Sequence, residues 1–261
     1  MEEIKPRDLI GRDNLLKREL YPRLQKEISF VLVGQKGIGK TELLKWAYSN
    51  YDKGQKVYIS CNETRGTIIK RIAKQLGIKI EKKKIADLEK EVLQCHEKIA
   101  LFVDDLERIS PKQAVMLTAL GNWNKIYLAG VGNFKERVKK LLWGKKKIRV
   151  KAIKRKYRLD LGRHVAKKLG CLVDPATIAR ESKGVPGRAW ALGKGEVIRD
   201  DDERVEGEEV NIAPVMLVGV IAIMITRYVA LGIGERDLYV LAGIGMACSY
   251  LLRYVIRIVS R

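Results

Sequence analysis

An α/β fold, a parallel sheet with helices on both faces, is the architecture that three features of this sequence predict. Short apolar runs alternate with stretches of helical spacing between about residues 28 and 153. One run, Ile99 to Val103 (IALFV), is apolar throughout, as a central parallel strand covered on both sides must be. Another, Ile28 to Val33 (ISFVLV), feeds a glycine-rich octet, and Glu42 to Tyr48 (ELLKWAY) follows it with the pattern of a helix.

The octet is Gly34-Gln35-Lys36-Gly37-Ile38-Gly39-Lys40-Thr41. It fits the phosphate-loop pattern G-x-x-x-x-G-K-[ST] at every fixed position and has the strand and helix that the pattern requires on either side. Glycines let backbone N–H groups turn inward around a triphosphate, and the helix N-terminus adds a favourable dipole. Lys40 is placed to reach the β- and γ-phosphates, and Thr41 to put its hydroxyl on Mg²⁺. The expected fold is therefore that of a P-loop NTPase, with residues 34 to 41 as the ATP cradle.

The remaining elements follow in order. Lys56 to Ser60 (KVYIS) reads as the second strand and Thr67 to Leu76 as a helix. Ile85, Leu88, Val92 and Cys95 mark one face of a further helix. The strand Ile99 to Val103 ends in Asp104-Asp105. Pro111 stands near the start of the next helix, where its missing N–H costs little. Lys125 to Ala129 (KIYLA) is the fourth strand and Ile148 to Ile153 the expected fifth. Arg158 to Leu169 and Pro175 to Ser182 form a small helical module, with Gly170 and Gly184 as stops. The expected organisation is a nucleotide-binding α/β core over residues 1–155, a helical lid over 156–198 and an acidic linker over 199–211.

The last segment, 212–261, changes character. Ile212 to Thr226 and Leu238 to Leu252 carry no charge, and Gly234-Glu235-Arg236-Asp237 separates them. Counted through its interrupting arginine, each stretch approaches the ~20 residues that cross a bilayer. The expectation is a pair of transmembrane helices forming a hairpin. Arg253, Arg257 and Arg261 would then share the side of the basic main domain, which puts that domain and both termini in the cytoplasm. The alternative is a helical hairpin buried in a soluble core or an oligomer interface.

Phosphate-loop ATPases need a second strand that carries a carboxylate. Leu101-Phe102-Val103-Asp104-Asp105 supplies it. Asp104, at the end of a buried strand, would hold the Mg²⁺. Asp105 is the first candidate to polarise the attacking water, and Glu107 the second, with a longer reach.

Composition narrows the partners. The chain has 261 residues and a formal net charge of +21. Such a field attracts polyanions, either nucleic acid or anionic lipid. Four scattered cysteines and two histidines make neither a zinc site nor a disulfide framework, which points to a reducing compartment. The charged start, Met1-Glu2-Glu3-Ile4-Lys5, is not that of a signal peptide.

With these motifs in place, the sequence resembles an AAA+ ATPase of the origin-recognition and cell-division-cycle initiator type. It is close also to the STAND NTPases. The resemblance covers about residues 8 to 195. Leu9-Ile10-Gly11-Arg12-Asp13 is similar to the segment that packs on adenine in both groups, which implies nucleotide contacts at Ile10, Gly11 and Arg12. Gly130-Val131-Gly132-Asn133 resembles sensor 1, where an Asn contacts the γ-phosphate or the lytic water. Glu136-Arg137-Val138-Lys139-Lys140 resembles the segment whose Arg acts in trans as an arginine finger, which implies a homo-oligomer. Gly184-Val185-Pro186-Gly187-Arg188 resembles sensor 2, where an Arg on the lid reaches the nucleotide.

Two departures stand out. The family's usual Asp-Glu is here Asp104-Asp105, a doublet typical of NB-ARC-type STAND proteins, and Val103 to Arg108 also looks like the KAP group of membrane-associated NTPases. The initiators' winged-helix domain is replaced by the apolar C-terminal segment.

Residues 135–158 are densely basic, with Glu136 as the only acid and Trp143 and Tyr157 among the cations. Nucleic acid, anionic lipid and plain solvation are the three readings of that stretch. The leading functional expectation is a membrane-anchored AAA+-like ATPase that uses ATP·Mg²⁺ to drive a conformational or assembly change, acting on DNA at the membrane. The alternatives are a STAND-like switch or scaffold with negligible turnover, and a membrane structural protein with a vestigial site.

Overall fold

The computed structural model describes residues 8–95, 97–132, 134, 136–196, 225 and 229, with Arg137 described by its backbone alone. The chain divides into two units, Met1–Glu208 and Glu209–Arg261. In the second, Ile225 and Val229 are helical and exposed. The expected linker over 199–211 and the expected transmembrane pair over 212–261 lie otherwise outside the described residues. Among the described residues no helix is long and apolar enough to cross a membrane.

The first unit is built on five parallel strands: β1 (Phe30–Val33), β2 (Lys56–Ser60), β3 (Ala100–Asp104), β4 (Lys125–Gly130) and β5 (Lys146–Arg149). Their order is β2-β3-β4-β1-β5. Side chains alternate between two cores, as the period of two demands. Val31, Val57, Ile59, Leu101, Val103, Ile126 and Leu128 face one core. Phe30, Leu32, Ala100, Phe102, Tyr127, Ala129 and Ile148 face the other.

Helices cover both faces. α1 (Asp13–Leu15), a π-helical turn (Leu16–Leu20) and α2 (Tyr21–Gln25) run as one element before β1. This element is one that sequence pattern left unread, although Leu16, Leu20 and Leu24 carry its spacing. Pro22 explains the π turn. It has no N–H for a helical bond, and the preceding Tyr21 N–H reaches back five residues to the Leu16 carbonyl. Leu20 and Leu24 join the second core beside α3 (Lys40–Ser49).

The first core takes α4 (Arg65–Gln75), α5 (Ile85–Gln94), α6 (Pro111–Gly121) and α7 (Glu136–Leu142). The Thr64 side chain caps α4 by accepting from the Thr67 N–H. Ser110 and Gln113 make a reciprocal capping box on α6, with Pro111 in its first turn.

The fifth strand lies two residues earlier than its apolar pattern suggested. β5 pairs Lys146 with Phe30 and Arg149 with Val33, and the ladder closes with Val150 N–H donating to the Val33 carbonyl at 2.7 Å. β1 then leaves the sheet at Gly34, so residues 150–153 have no partner strand to continue along. Ile153 turns instead to the lid, its N–H donating to the Gly184 carbonyl at 2.8 Å.

The lid comprises α8 (Arg155–Leu169), α9 (Pro175–Glu181) and α10 (Pro186–Gly193), one helix more than the two expected. Ile153, Leu161, Val165, Ile178 and Ala189 form its own core. Gly162 lets α8 and α9 touch: a Cβ there would stand 2.2 Å from the Pro175 carbonyl oxygen.

Candidate nucleotide-binding site

The glycine-rich loop joins β1 to α3. Gly37 and Gly39 adopt φ of +76° and +96°, a region that side chains rarely enter. Gly39 stands at the N-terminus of α3, so the loop's N–H groups and the helix dipole share one concavity. Lys40, 8 % exposed, donates from Nζ to the Gly34 and Gln35 carbonyls, both at 2.9 Å. Burial pulls the Lys40 pKa down, and the carboxylates of Glu107, Asp104 and Asp105 oppose that shift.

Asp104 ends β3 and is 4 % exposed. Its side chain bonds to Thr41, accepts from the Tyr58 hydroxyl at 2.8 Å and accepts from the Asp105 N–H at 2.9 Å. Burial raises the Asp104 pKa, and these three bonds lower it. The loop and the carboxylate strand, 63 positions apart between Thr41 and Asp104, therefore meet in one place. A hydroxyl and a buried carboxylate in contact form a hard-oxygen set of the kind Mg²⁺ takes, beside a loop shaped for phosphates. The residues present thus fit ATP and Mg²⁺.

Tyr58 was missed by sequence reasoning. Its signal is the alternation of β2, which puts Tyr58 on the face opposite Val57 and Ile59. Burial and Asp104 raise its pKa, so it remains a donor to that carboxylate. Tyr58→Phe should leave the fold intact and weaken Mg²⁺ binding to the nucleotide-loaded protein by about tenfold, the scale expected for a group that orients a ligating carboxylate. Titration of a fluorescent ATP analogue with Mg²⁺ checks this.

The strand order separates the two candidate water-polarising residues. Asp105 adopts φ +57° and leans toward β2, the outer strand: its Oδ2 accepts from Ser60 Oγ at 2.9 Å and Asn62 Nδ2 at 2.7 Å. Arg108 donates to Asn62 at 3.0 Å and so reaches Asp105 only through it. Glu107 lies in the short 3₁₀ turn Leu106–Arg108 and leans the other way, toward β4 and the loop strand β1. Its Oε2 accepts from the Val131 N–H at 3.3 Å. Gly130 makes the room, since a Cβ there would meet Leu106 Cβ at 2.8 Å and Glu107 Oε2 at 3.3 Å. Among the charges acting on Lys40, that of Glu107 is the largest. Asn133 and the Arg137 side chain lie outside the described residues. Cys61, under the acidic cluster, has its thiol pushed up to about 12, mainly by burial, and is no nucleophile.

A cleft of roughly 900 Å³ of empty space, solvent included, runs from the loop to the lid. Gly37 to Glu42 line its phosphate end, and Asp8, Leu9, Ile10, Leu161, His164 and Trp190 line the far end. The lid residues there were missed because α8 and α10 bring them in at single positions with no motif around them. Arg12 is buried and spans three segments: Nη1 donates to the Lys151 carbonyl at 2.6 Å and Nη2 to the Ile38 carbonyl at 2.8 Å. Burial lowers its pKa to about 10, which leaves it charged at neutral pH. Arg12 thus braces the loop from behind. Gly11, at φ +66°, lies against Tyr157, where a Cβ would approach the ring-bearing Cβ to 2.9 Å.

The lid touches the loop directly. The Gly187 N–H donates to the Gly37 carbonyl at 2.8 Å, and a Cβ on Gly187 would come within 2.7 Å of Gly37 Cα. Arg188 follows on α10 and is half-buried; it does not line the cleft.

Residues 24–149 match the AAA domain. The AAA match begins in α2 and closes with β5, so it takes in the loop, Asp104 and Glu107 but neither Arg12 nor the lid. The matched segment holds the glycine-rich loop and all five parallel strands. Among solved structures, the chain resembles the Thermotoga maritima RuvB Holliday junction branch migration motor at 18 % identity and a TM-score of 0.48, over 73 % of this chain and 64 % of that one. It also resembles domain III of the Thermotoga maritima replication initiation protein DnaA at 11 % identity and a TM-score of 0.47, over 74 % of this chain and 89 % of that one. This chain thus spans less than two thirds of the RuvB chain. No curated protein shows significant sequence similarity to it.

Proposed function

We propose that this AAA-type protein binds ATP·Mg²⁺ between the sheet and the helical lid and hydrolyses it to drive a conformational or assembly change beside a membrane. The observation that carries the reading is the bond between Thr41 and Asp104, beside a loop whose Lys40 is ready to exchange two carbonyls for phosphate oxygens. Lys40 and the loop N–H groups hold the phosphates. Thr41 and Asp104 hold the metal, with Tyr58 fixing the carboxylate. Bound Mg²⁺ supplies positive charge to the phosphates. Glu107 polarises the attacking water, while Asp105 shapes the turn that aims it.

The apolar wall of Leu9, Ile10, Leu161 and Trp190 receives the base. Gly187 carries occupancy of the loop into the lid through its bond to Gly37, and Arg188 follows that motion toward the nucleotide. Roles for Asn133 as a phosphate sensor and for a neighbouring subunit's Arg137 as an arginine finger rest on the resemblance described above, as does a homo-oligomer. The membrane hairpin over 212–261 rests on its charge-free runs, and the orientation with domain and termini in the cytoplasm on the arginines that end the chain. Association with DNA rests on the net charge of +21 and on the basic stretch 135–158.

A second reading, a nucleotide-gated switch with negligible turnover, is favoured by one observation: the carboxylate next to Asp104 is occupied by Ser60 and Asn62. Steady-state phosphate release from the full chain separates the two. Sustained Mg²⁺-dependent release supports the ATPase, a single stoichiometric event supports the switch, and absence of ATP binding removes both.

A further inference from the structure

The end of the sheet opposite the cleft carries two indoles with little cover. Trp143 is 85 % exposed and Trp123 is 78 % exposed. Trp143 directly follows the last residue of α7, and Trp123 stands two residues beyond the end of α6. The two helices pack against each other over the same core. The strands that begin just after them, β4 and β5, flank β1, so their starts are about 10 Å apart. Because the strands are parallel, this corner faces away from Gly34 and Asp104.

Lys125, Lys139, Lys140, Lys146 and Lys147 are exposed around it, and among the described residues only Glu136 answers them, through Lys139. No acid occurs from residue 137 to residue 159.

We propose that this Trp123–Trp143 corner docks on the surface of an anionic phospholipid bilayer. An indole has an apolar body and one N–H donor, which suits the boundary between headgroups and acyl chains, and large apolar groups left in water mark interaction sites. The lysines ringing the corner meet the phosphates and carboxylates of that surface.

Two observations favour lipid over a nucleic-acid strand. The cations flanking the indoles are lysines, compact point charges without the forked geometry that reads bases and phosphates bidentately. Tyr157, the aromatic that the sequence set beside Trp143 as a second stacking platform, is packed against Gly11 instead. The docking rests in part on the proposed hairpin. Residues 197–211 are the only chain between the lid and the first charge-free run, and fifteen residues reach at most ~50 Å. A bilayer that takes in that run is therefore at most that far from the end of the lid.

The test uses the full chain with Trp46, Trp123 and Trp190 replaced by Phe, so that Trp143 is the one indole. It is reconstituted into brominated phosphatidylcholine vesicles with or without phosphatidylserine. Far-ultraviolet circular dichroism and a thermal melt of the same variant report its fold, and a second chain that keeps only Trp123 repeats the measurement. The expected result is about twofold quenching of Trp143 emission in the anionic vesicles, lost at high salt and in the Lys145→Glu/Lys146→Glu/Lys147→Glu chain. Equal emission in both vesicles overturns the proposal. So does emission that responds to a single-stranded oligonucleotide and ignores the lipid. Alkaline extraction of the same vesicles reads the hairpin separately. A chain that resists extraction while Trp143 stays unquenched overturns the docking and leaves the anchor standing. A chain that is extracted yet quenched beforehand overturns the anchor and supports the docking.

Discussion

Lys40→Ala lowers ATP affinity by roughly 10²–10³-fold, the value expected when charge-assisted hydrogen bonds to phosphate are removed from a water-poor site. The ammonium is nearly enclosed, and its partners in the absence of phosphate are two carbonyls of its own loop. Gly34 is buried, so its freed carbonyl should cost the fold about 1–3 kcal/mol, which a thermal melt reads separately from binding. Burial already weakens the Lys40 charge, and Glu107, Asp104 and Asp105 sustain it. A neutral side chain would leave those acids facing the phosphates unopposed, which adds to the loss. Calorimetric titration with ATP, beside a thermal melt of the same sample, is the check. An unchanged dissociation constant would mean that the loop does not hold the triphosphate.

Glu107→Gln should lower phosphate release by roughly 10²–10³-fold, the usual contribution of a positioned general base, while ATP binding changes by no more than a few-fold. Asp105→Asn should cost only about tenfold, because Asp105 acts through the shape of its turn. The adjacent-residue rule implied by the family resemblance predicts the reverse ranking. The geometry decides between them: Asp105 is bonded to Ser60 and Asn62 on the β2 side, whereas Glu107 crosses toward Val131 on the β4 side, next to the loop strand. Single-turnover hydrolysis separates chemistry from product release in both variants. A larger loss in Asp105→Asn than in Glu107→Gln would return the role to Asp105.

The sheet and the phosphate end of the site were legible because they depend on local pattern. Val57 and Ile59 alternate with Tyr58, Ile99 to Val103 is apolar throughout, and the loop's glycines stand at set intervals. The direction in which a side chain leans across strand ends was not legible, because it depends on the order β2-β3-β4-β1-β5, and no run of residues encodes which strand lies beside which. Asp105 and Glu107 are the example. Arg12 is another: its neighbours suggested contact with a base, but its partners are the carbonyls of Ile38 and Lys151, which only tertiary folding brings together. The start of α8 at Arg155 was hidden for a simpler reason. The basic run from Lys145 to Arg158 has no apolar period through which a helix could show itself. Trp123 was overlooked because a lone tryptophan in a turn resembles any other core residue until its exposure is known.

The guanidinium of Arg12 belongs to a stretch that the AAA match leaves out, as do Lys151 and all three lid helices. A protein trimmed to residues 24–149 would keep the glycine-rich loop, Thr41 and Asp104 but lack the wall behind them and the roof above. Recognition by likeness and the walls of the cleft therefore have different borders here, and a piece that keeps the whole cleft is longer at both ends than the piece that matches the AAA domain.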